Sequence, residues 1–260
     1  MSALLEKEGE LILHSGNISG LTKLTKRAGQ SAASELLSGI EGALESWVSS
    51  PIEERTSSGA LLIQHKSLAK PISTSDRQEL MITVKVFVTD WDAKLVRDAV
   101  LCALHQLGLQ DCDMIILAPP PSGYSVEKMK LLWREIGQLT TEGKSPVVGV
   151  ADLDKNQIQQ LYDCVDVKPT VNQVNLASCC VMPEDLVEYA KTVNIKLFTH
   201  NDDPDVVSAE GVTQVINKPM GGTSQVRWNP SWVVRYSTQV KCRGILGRRG
   251  YFVHVKKFAK

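Results

Sequence analysis

From residue 80 to residue 200, short β-branched runs alternate with stretches whose apolar positions recur every three or four residues. Met81 to Val88 reads as a strand. Leu95, Val96, Ala99, Val100, Ala103, Leu104 and Leu107 then share one helical face until Gly108 stops them. Met114 to Leu117 is the next strand, followed by a helix with Met129, Leu132, Trp133, Ile136 and Leu139 on one face, then the strand Val147 to Val150. Asp154 with Gln157 predicts a capping box for a helix carrying Ile158, Leu161, Tyr162 and Val165. Val171 to Leu176 reads as a strand. Pro183 opens a helix through Leu186, Val187 and Ala190, and Lys196 to His200 returns to strand.

Upstream, Glu10 to His14 and Leu61 to His65 read as two earlier strands flanking a helix from Ser31 to Trp47. Downstream, Asn229-Pro230 predicts a helix through Trp232, Val233, Tyr236 and Val240, and Gly250 to Val255 a last strand. Strands separated by helices must run parallel to one another. Eight such units predict an α/β chain, residues 1 to 260 forming a single closed (β/α)8 barrel, with its functional loops at the C-terminal ends of the strands.

Composition adds ordinary globularity: 43% apolar and 22% charged residues in 260. No apolar run reaches the roughly 20 residues of a bilayer span, and the acids at the N-terminus do not suit a secretory signal. Six scattered cysteines, without a CxxC pair, predict reduced thiols and no metal site. The expected location is the cytoplasm. The zero net charge hides an asymmetry: residues 211–260 hold ten Lys or Arg and no acid, leaving −10 on the first 210 residues. Such a tail suits either an anionic partner or pairing with acids elsewhere in the fold. Gly221-Gly222 and Gly247 to Gly250 read as turns, with an anion cradle as the functional alternative.

The ordered segments Glu79 to Lys85, Gln106 to Leu109, Asp113 to Pro119, Val148 to Leu153 and Val171 to Val174 resemble strands three to six of the aldo-keto reductases. Arg235-Tyr236 and Arg249-Gly250 extend the likeness towards the C-terminus. The resemblance implies a barrel of that type, ending after its last strand, and a reductase site built from Tyr, Lys, His and Asp. Lys85 falls on the Lys position, where pairing with an acid such as Asp152 is expected. Ala118 stands where the His belongs, and no segment supplies the Tyr or the Asp. Without a proton donor there is no general acid for carbonyl reduction, so no catalytic residue is expected.

The same resemblance puts Ala151-Asp152 where the nicotinamide-binding Ser-Asn pair belongs, keeps Gln173, sets His200 at the ring-stacking Tyr, and leaves Lys256-Lys257 for the phosphate clamp. No cofactor is expected; Gln173, His200 and Lys256 remain as candidates for a residual cleft. A reductase with a degenerate, NADPH-dependent site is the alternative function.

The run Val171 to Pro183, with Lys168-Pro169, Thr199 to Asp202 and Arg235 to Ile245, is similar to the regulatory subunits of glutamate–cysteine ligase. That resemblance implies a non-catalytic regulator in glutathione biosynthesis. It would form a heterodimer with the ligase catalytic subunit, improve glutamate use and relieve feedback inhibition by glutathione, with no nucleic-acid or membrane partner. Cys179, Cys180 and Asn201 are the candidate interface residues, and the adjacent thiols are candidates for an intersubunit disulfide.

Overall fold

The computed structural model describes residues 2–20, 31–175, 181–203, 205–220 and 226–258. Helices are α1 (Ser2–Lys7), α2 (Ala32–Val48), α3 (Thr74–Glu79), α4 (Ala93–Leu107), α5 (Val126–Thr141), α6 (Lys155–Cys164), α7 (Glu184–Thr192) and α8 (Ala209–Asn217). Strands are β1 (Glu10–His14), β2 (Glu54–Arg55), β3 (Leu61–Gln64), β4 (Leu80–Val88), β5 (Met114–Ala118), β6 (Val147–Ala151), β7 (Val171–Asn175), β8 (Lys196–His200), β9 (Trp228–Val240) and β10 (Ile245–Lys257). Cys179, Cys180 and Gly221-Gly222 lie outside the described residues.

The βα pattern from residue 80 to 200 holds. β4 to β8 pair in chain order, each parallel to the last. The predicted faces of α4 and α5 are buried, Gly108 ends α4 in the left-handed conformation at φ 71°, and Asp154 and Gln157 complete their capping box.

The C-terminal segment differs from expectation. Residues 228–240 form a strand, not a helix, paired antiparallel to both β10 and β4. The cause is double-sided burial: Trp232, Val234 and Tyr236 pack on the α4 side, while Trp228 and Val233 pack on the opposite side. A strand apolar on both faces loses the alternation that identifies one. Pro230 sits beside the bulge at Ser231, a place where a missing N–H is tolerated. Residues 247–250 belong to β10 and are not turns.

The full strand order is β2-β3-β1-β10-β9-β4-β5-β6-β7-β8. The last predicted strand therefore lies between β1 and β9 and not beside β8. Because two antiparallel partners intervene, β1 runs opposite to β4. The sheet is layered on both sides. Helices α4 to α7 cover one face; α2 and α8 cover the other over β1, β3, β9 and β10. Helix α8 carries no signal strong enough to stand out in the Gly-, Asp- and Ser-rich segment 202–226, yet Val212 and Ile216 bury its inner stripe.

Curvature brings distant strands together. Four strand spacings on a flat sheet would hold β4 and β8 roughly 19 Å apart, but Lys85 of β4 bonds Asp202 just beyond β8 at 2.7 Å. Gly149 permits close packing against its neighbouring strands: a Cβ there would meet the Val171 carbonyl oxygen at 2.6 Å and Ile116 at 3.0 Å.

Candidate functional site

The C-terminal ends of β4 to β8 converge on a polar cluster. Lys85 projects from β4 in register with Arg235 of β9. Both reach the Asp202 carboxylate, Lys85 at 2.7 Å and Arg235 through Nη1 and Nη2, the latter at 3.1 Å. The side chains of Lys85 and Asp202 are each 2% exposed. His200, at the end of β8, bridges two carboxylates: Nε2 lies 2.9 Å from Asp152 and Nδ1 3.1 Å from Asp202.

Each charge depends on the others. Burial pulls the Lys85 ammonium down to about 8 against the attraction of Asp202. Burial also works against ionised Asp202, but the bond to His200 and the charges of Arg235 and Lys85 hold its carboxyl far below the usual range. For His200, burial is outweighed by the two carboxylates, which raise its pKa. Asp152 adopts a left-handed φ of 61°, unusual for a residue with a side chain. Its N–H donates to the Gln173 carbonyl, and its Oδ1 accepts from the Asn175 N–H at 2.9 Å and faces His200.

The expected partner of Lys85 is thus corrected. Asp152 engages His200, and the buried acid is Asp202, whose loop crosses back over β4 because of the sheet's curvature. Asp202 and Arg235 lay within the sequence motifs, but only the fold shows that they meet. Beside Asp202, the Asp203 carboxylate accepts from the Ala33 N–H at 2.9 Å and ties α2 to the same loop.

Next to the cluster lies a cavity of about 270 Å³, walled by Phe87, Ala118, Pro119 to Pro121 and Tyr124, with Asp152, Asp202 and Asp203 among its lining residues. Ala118 is in the seat expected for a catalytic His and brings no proton donor. Tyr124 is no substitute. Its hydroxyl donates to the Gln157 carbonyl, and burial pushes its pKa up to about 12, the reverse of an activated acid. Asn201, the residue after β8, is exposed.

An aldo/keto fold implies a nicotinamide dinucleotide, but the residues present do not fit one. The cavity presents three carboxylates where a pyrophosphate needs donors or cations. Lys85 and Arg235 are spent on Asp202, and both ring nitrogens of His200 are engaged. Lys256 pairs with Glu10 at 3.3 Å, across β10 and β1. Gln173 stays in β7, outside the cavity lining, with a buried Oε1 that has no hydrogen-bond partner among the described residues.

The basic C-terminal segment resolves in the same way. Lys218 pairs with Glu41, Arg235 with Asp202, Arg248 with Asp76, Arg249 with Glu35 and Lys256 with Glu10. The two halves of the chain interleave, so the sequence asymmetry is internal pairing to a large extent. Among the described residues no cluster of His, Cys, Asp and Glu is arranged to hold a metal, and no helix is long and apolar enough to cross a membrane.

Comparison with known proteins fits this picture. The aldo/keto reductase family model matches residues 62–201. The glutamate–cysteine ligase regulatory subunit of Rattus norvegicus is 34% identical over 262 aligned positions, 98% of this chain and 96% of its own length. The chain belongs to the glutamate–cysteine ligase regulatory subunits, within the aldo/keto reductase family. The Homo sapiens regulatory subunit matches with the same identity and coverage. Among solved structures, an aldo-keto reductase enzyme from a Medee basin deep-sea metagenome library is 25% identical, covering 44% of this chain and 41% of its own, with a TM-score of 0.39.

Proposed function

We propose that this chain is a non-catalytic regulatory subunit that binds a glutamate–cysteine ligase catalytic subunit in the cytoplasm, as one aldo/keto reductase-like domain. The observation that carries the reading is near-complete, 34% identical coverage by relatives bearing that name. A cleft with Ala118 in the His seat and Lys85 locked to Asp202 supports it. The relic lysine braces the β8 loop and leaves no free ammonium to activate an acid.

In this reading the chain works by differential binding: it contacts the ligase conformation that uses glutamate well more tightly than the one that does not. A several-fold change in apparent glutamate affinity, or in glutathione inhibition, requires about 1 kcal/mol of coupling. Asn201, exposed beside β8, and Cys179 and Cys180 are the residues proposed for the contact, with a labile mixed disulfide as reinforcement under oxidation. Sedimentation of purified catalytic subunit with this chain tests the assignment. A heterodimer is the expected species. Two separate boundaries, or carbonyl turnover with NADPH by this chain alone, would overturn it.

A further inference from the structure

His200 closes β8, and its side chain is 5% exposed, so the ring meets protein and almost no water. Nε2 lies 2.9 Å from Asp152 Oδ1. Nδ1 has two neighbours on one residue: the Asp202 N–H, which donates to it at 3.2 Å, and the Asp202 carboxylate, whose Oδ2 is 3.1 Å away. These two make opposite demands. An imidazole nitrogen has one in-plane position, which holds either a lone pair or a proton; the lone pair accepts the N–H and repels the carboxylate, and the proton does the reverse. With Nε2–H donating to Asp152, the uncharged ring satisfies the N–H and the charged ring satisfies the carboxylate.

The charged groups facing the ring are Asp152 from the end of β6, Asp202 from the loop, Lys85 from β4 and, across Asp202, Arg235 from β9. From β7 comes the uncharged Asn175, paired with His200 in register. Burial opposes the ring's charge, the two carboxylates outweigh it, and the group titrates above its ordinary value of about 6.5. Asp202 itself is anchored in both forms, because Lys85 and Arg235 hold its carboxylate and the Asn175 amide donates to its carbonyl at 2.7 Å. What is left to move is the peptide between residues 201 and 202, which carries the N–H.

We propose that His200 is a proton-operated switch on the contact with the catalytic subunit: uncharged, its Nδ1 holds the Asp202 N–H; charged, it donates to the Asp202 carboxylate, and the 201–202 peptide turns away and changes how the exposed Asn201 is presented. The link to the catalytic subunit rests on the regulatory reading above. The charged ring bridges two carboxylates by charge-assisted bonds and fixes the end of β6 to the loop after β8, so the preorganised loop binds the partner more tightly. By reciprocity, the bound partner tightens the hold of His200 on its proton.

NMR of the uniformly nitrogen-labelled full chain reads the switch without the partner. The scalar coupling across the N–H···N bond between the Asp202 amide and Nδ1 is present at high pH and vanishes at the midpoint of the His200 ring titration. Ring nitrogen shifts separate this event from the titration of Lys85, which burial pulls down to about 8. Affinity for the catalytic subunit, measured over the same range, falls roughly fivefold as the ring loses its proton. His200→Asn, whose Oδ1 takes the place of Nδ1 as a permanent acceptor, binds at the parent's high-pH level throughout.

A ring that titrates while the coupling is absent at high pH, or persists at low pH, overturns the switch. A switch seen by NMR with an affinity that ignores pH, or a pH dependence retained in His200→Asn, overturns its link to the partner and leaves the regulatory reading standing. Absence of any complex at either pH overturns the regulatory reading itself, while the coupling across the N–H···N bond still decides the switch.

Discussion

Lys85 Nζ lies 2.7 Å from Asp202 Oδ2, and both side chains are almost fully buried. The contact closes the sheet's curvature, because it ties the middle of β4 to the loop that leaves β8. It also defines the charge state of the cleft, since Asp202 carries Arg235 and His200 as well.

Removing the acid should therefore cost more than removing the base. Asp202→Asn strands a buried ammonium and a guanidinium, a cost of about 3–5 kcal/mol. Lys85→Met leaves Asp202 with Arg235 and His200 and fills the space, for a cost of about 1–2 kcal/mol. Urea unfolding of the two variants checks the order; equal losses would remove Asp202 from its central place.

His200 has a raised pKa in the fold, so its proton stabilises the native state. That contribution is full below the unfolded value of about 6.5 and is lost as pH rises through the folded value. The difference in stability between parent and His200→Asn should shrink across this window. A difference independent of pH would mean that the imidazole is neutral where it bridges Asp152 and Asp202.

His14 predicts the opposite sign. It stacks on Phe252 at 4.0 Å, fully buried, and burial lowers its pKa to about 3. The unfolded chain takes up its proton first, so this residue costs stability as pH falls from about 6.5 towards 3. His14→Phe should flatten the acid limb of the stability curve, measured by denaturant midpoints between those limits.

Gly149 lies where β6 and β7 approach closely: a Cβ would sit 2.6 Å from the Val171 backbone oxygen, which has no side-chain freedom to retreat. Gly149→Ala should lose about 1–3 kcal/mol, the usual penalty of overpacking. Thermal unfolding reads the loss; an unchanged midpoint would show that β6 and β7 can separate freely.

Much of this was written in local pattern. The stripe Met129, Leu132, Trp133, Ile136 and Leu139 and the stop at Gly108 specify α5 and α4 without tertiary help. Residues 228–240 do not, because Trp232 and Val233 are both buried, on opposite faces, and mimic a helical stripe. The pairing of Lys85 was legible only as far as the need for an acid. Choosing Asp202 over Asp152 requires the curl that brings residue 202 back over β4, which no local window contains. The seat of Lys256 likewise depends on β10 pairing with β1.

The role proposed for this chain is regulation without catalysis. Ligase activity of the separately purified catalytic subunit, titrated with this chain across glutamate and glutathione concentrations, tests it most directly. The expected result is a saturable fall in the apparent glutamate constant, weaker glutathione inhibition and no ligase activity from this chain alone. A titration that leaves both constants unchanged would contradict it.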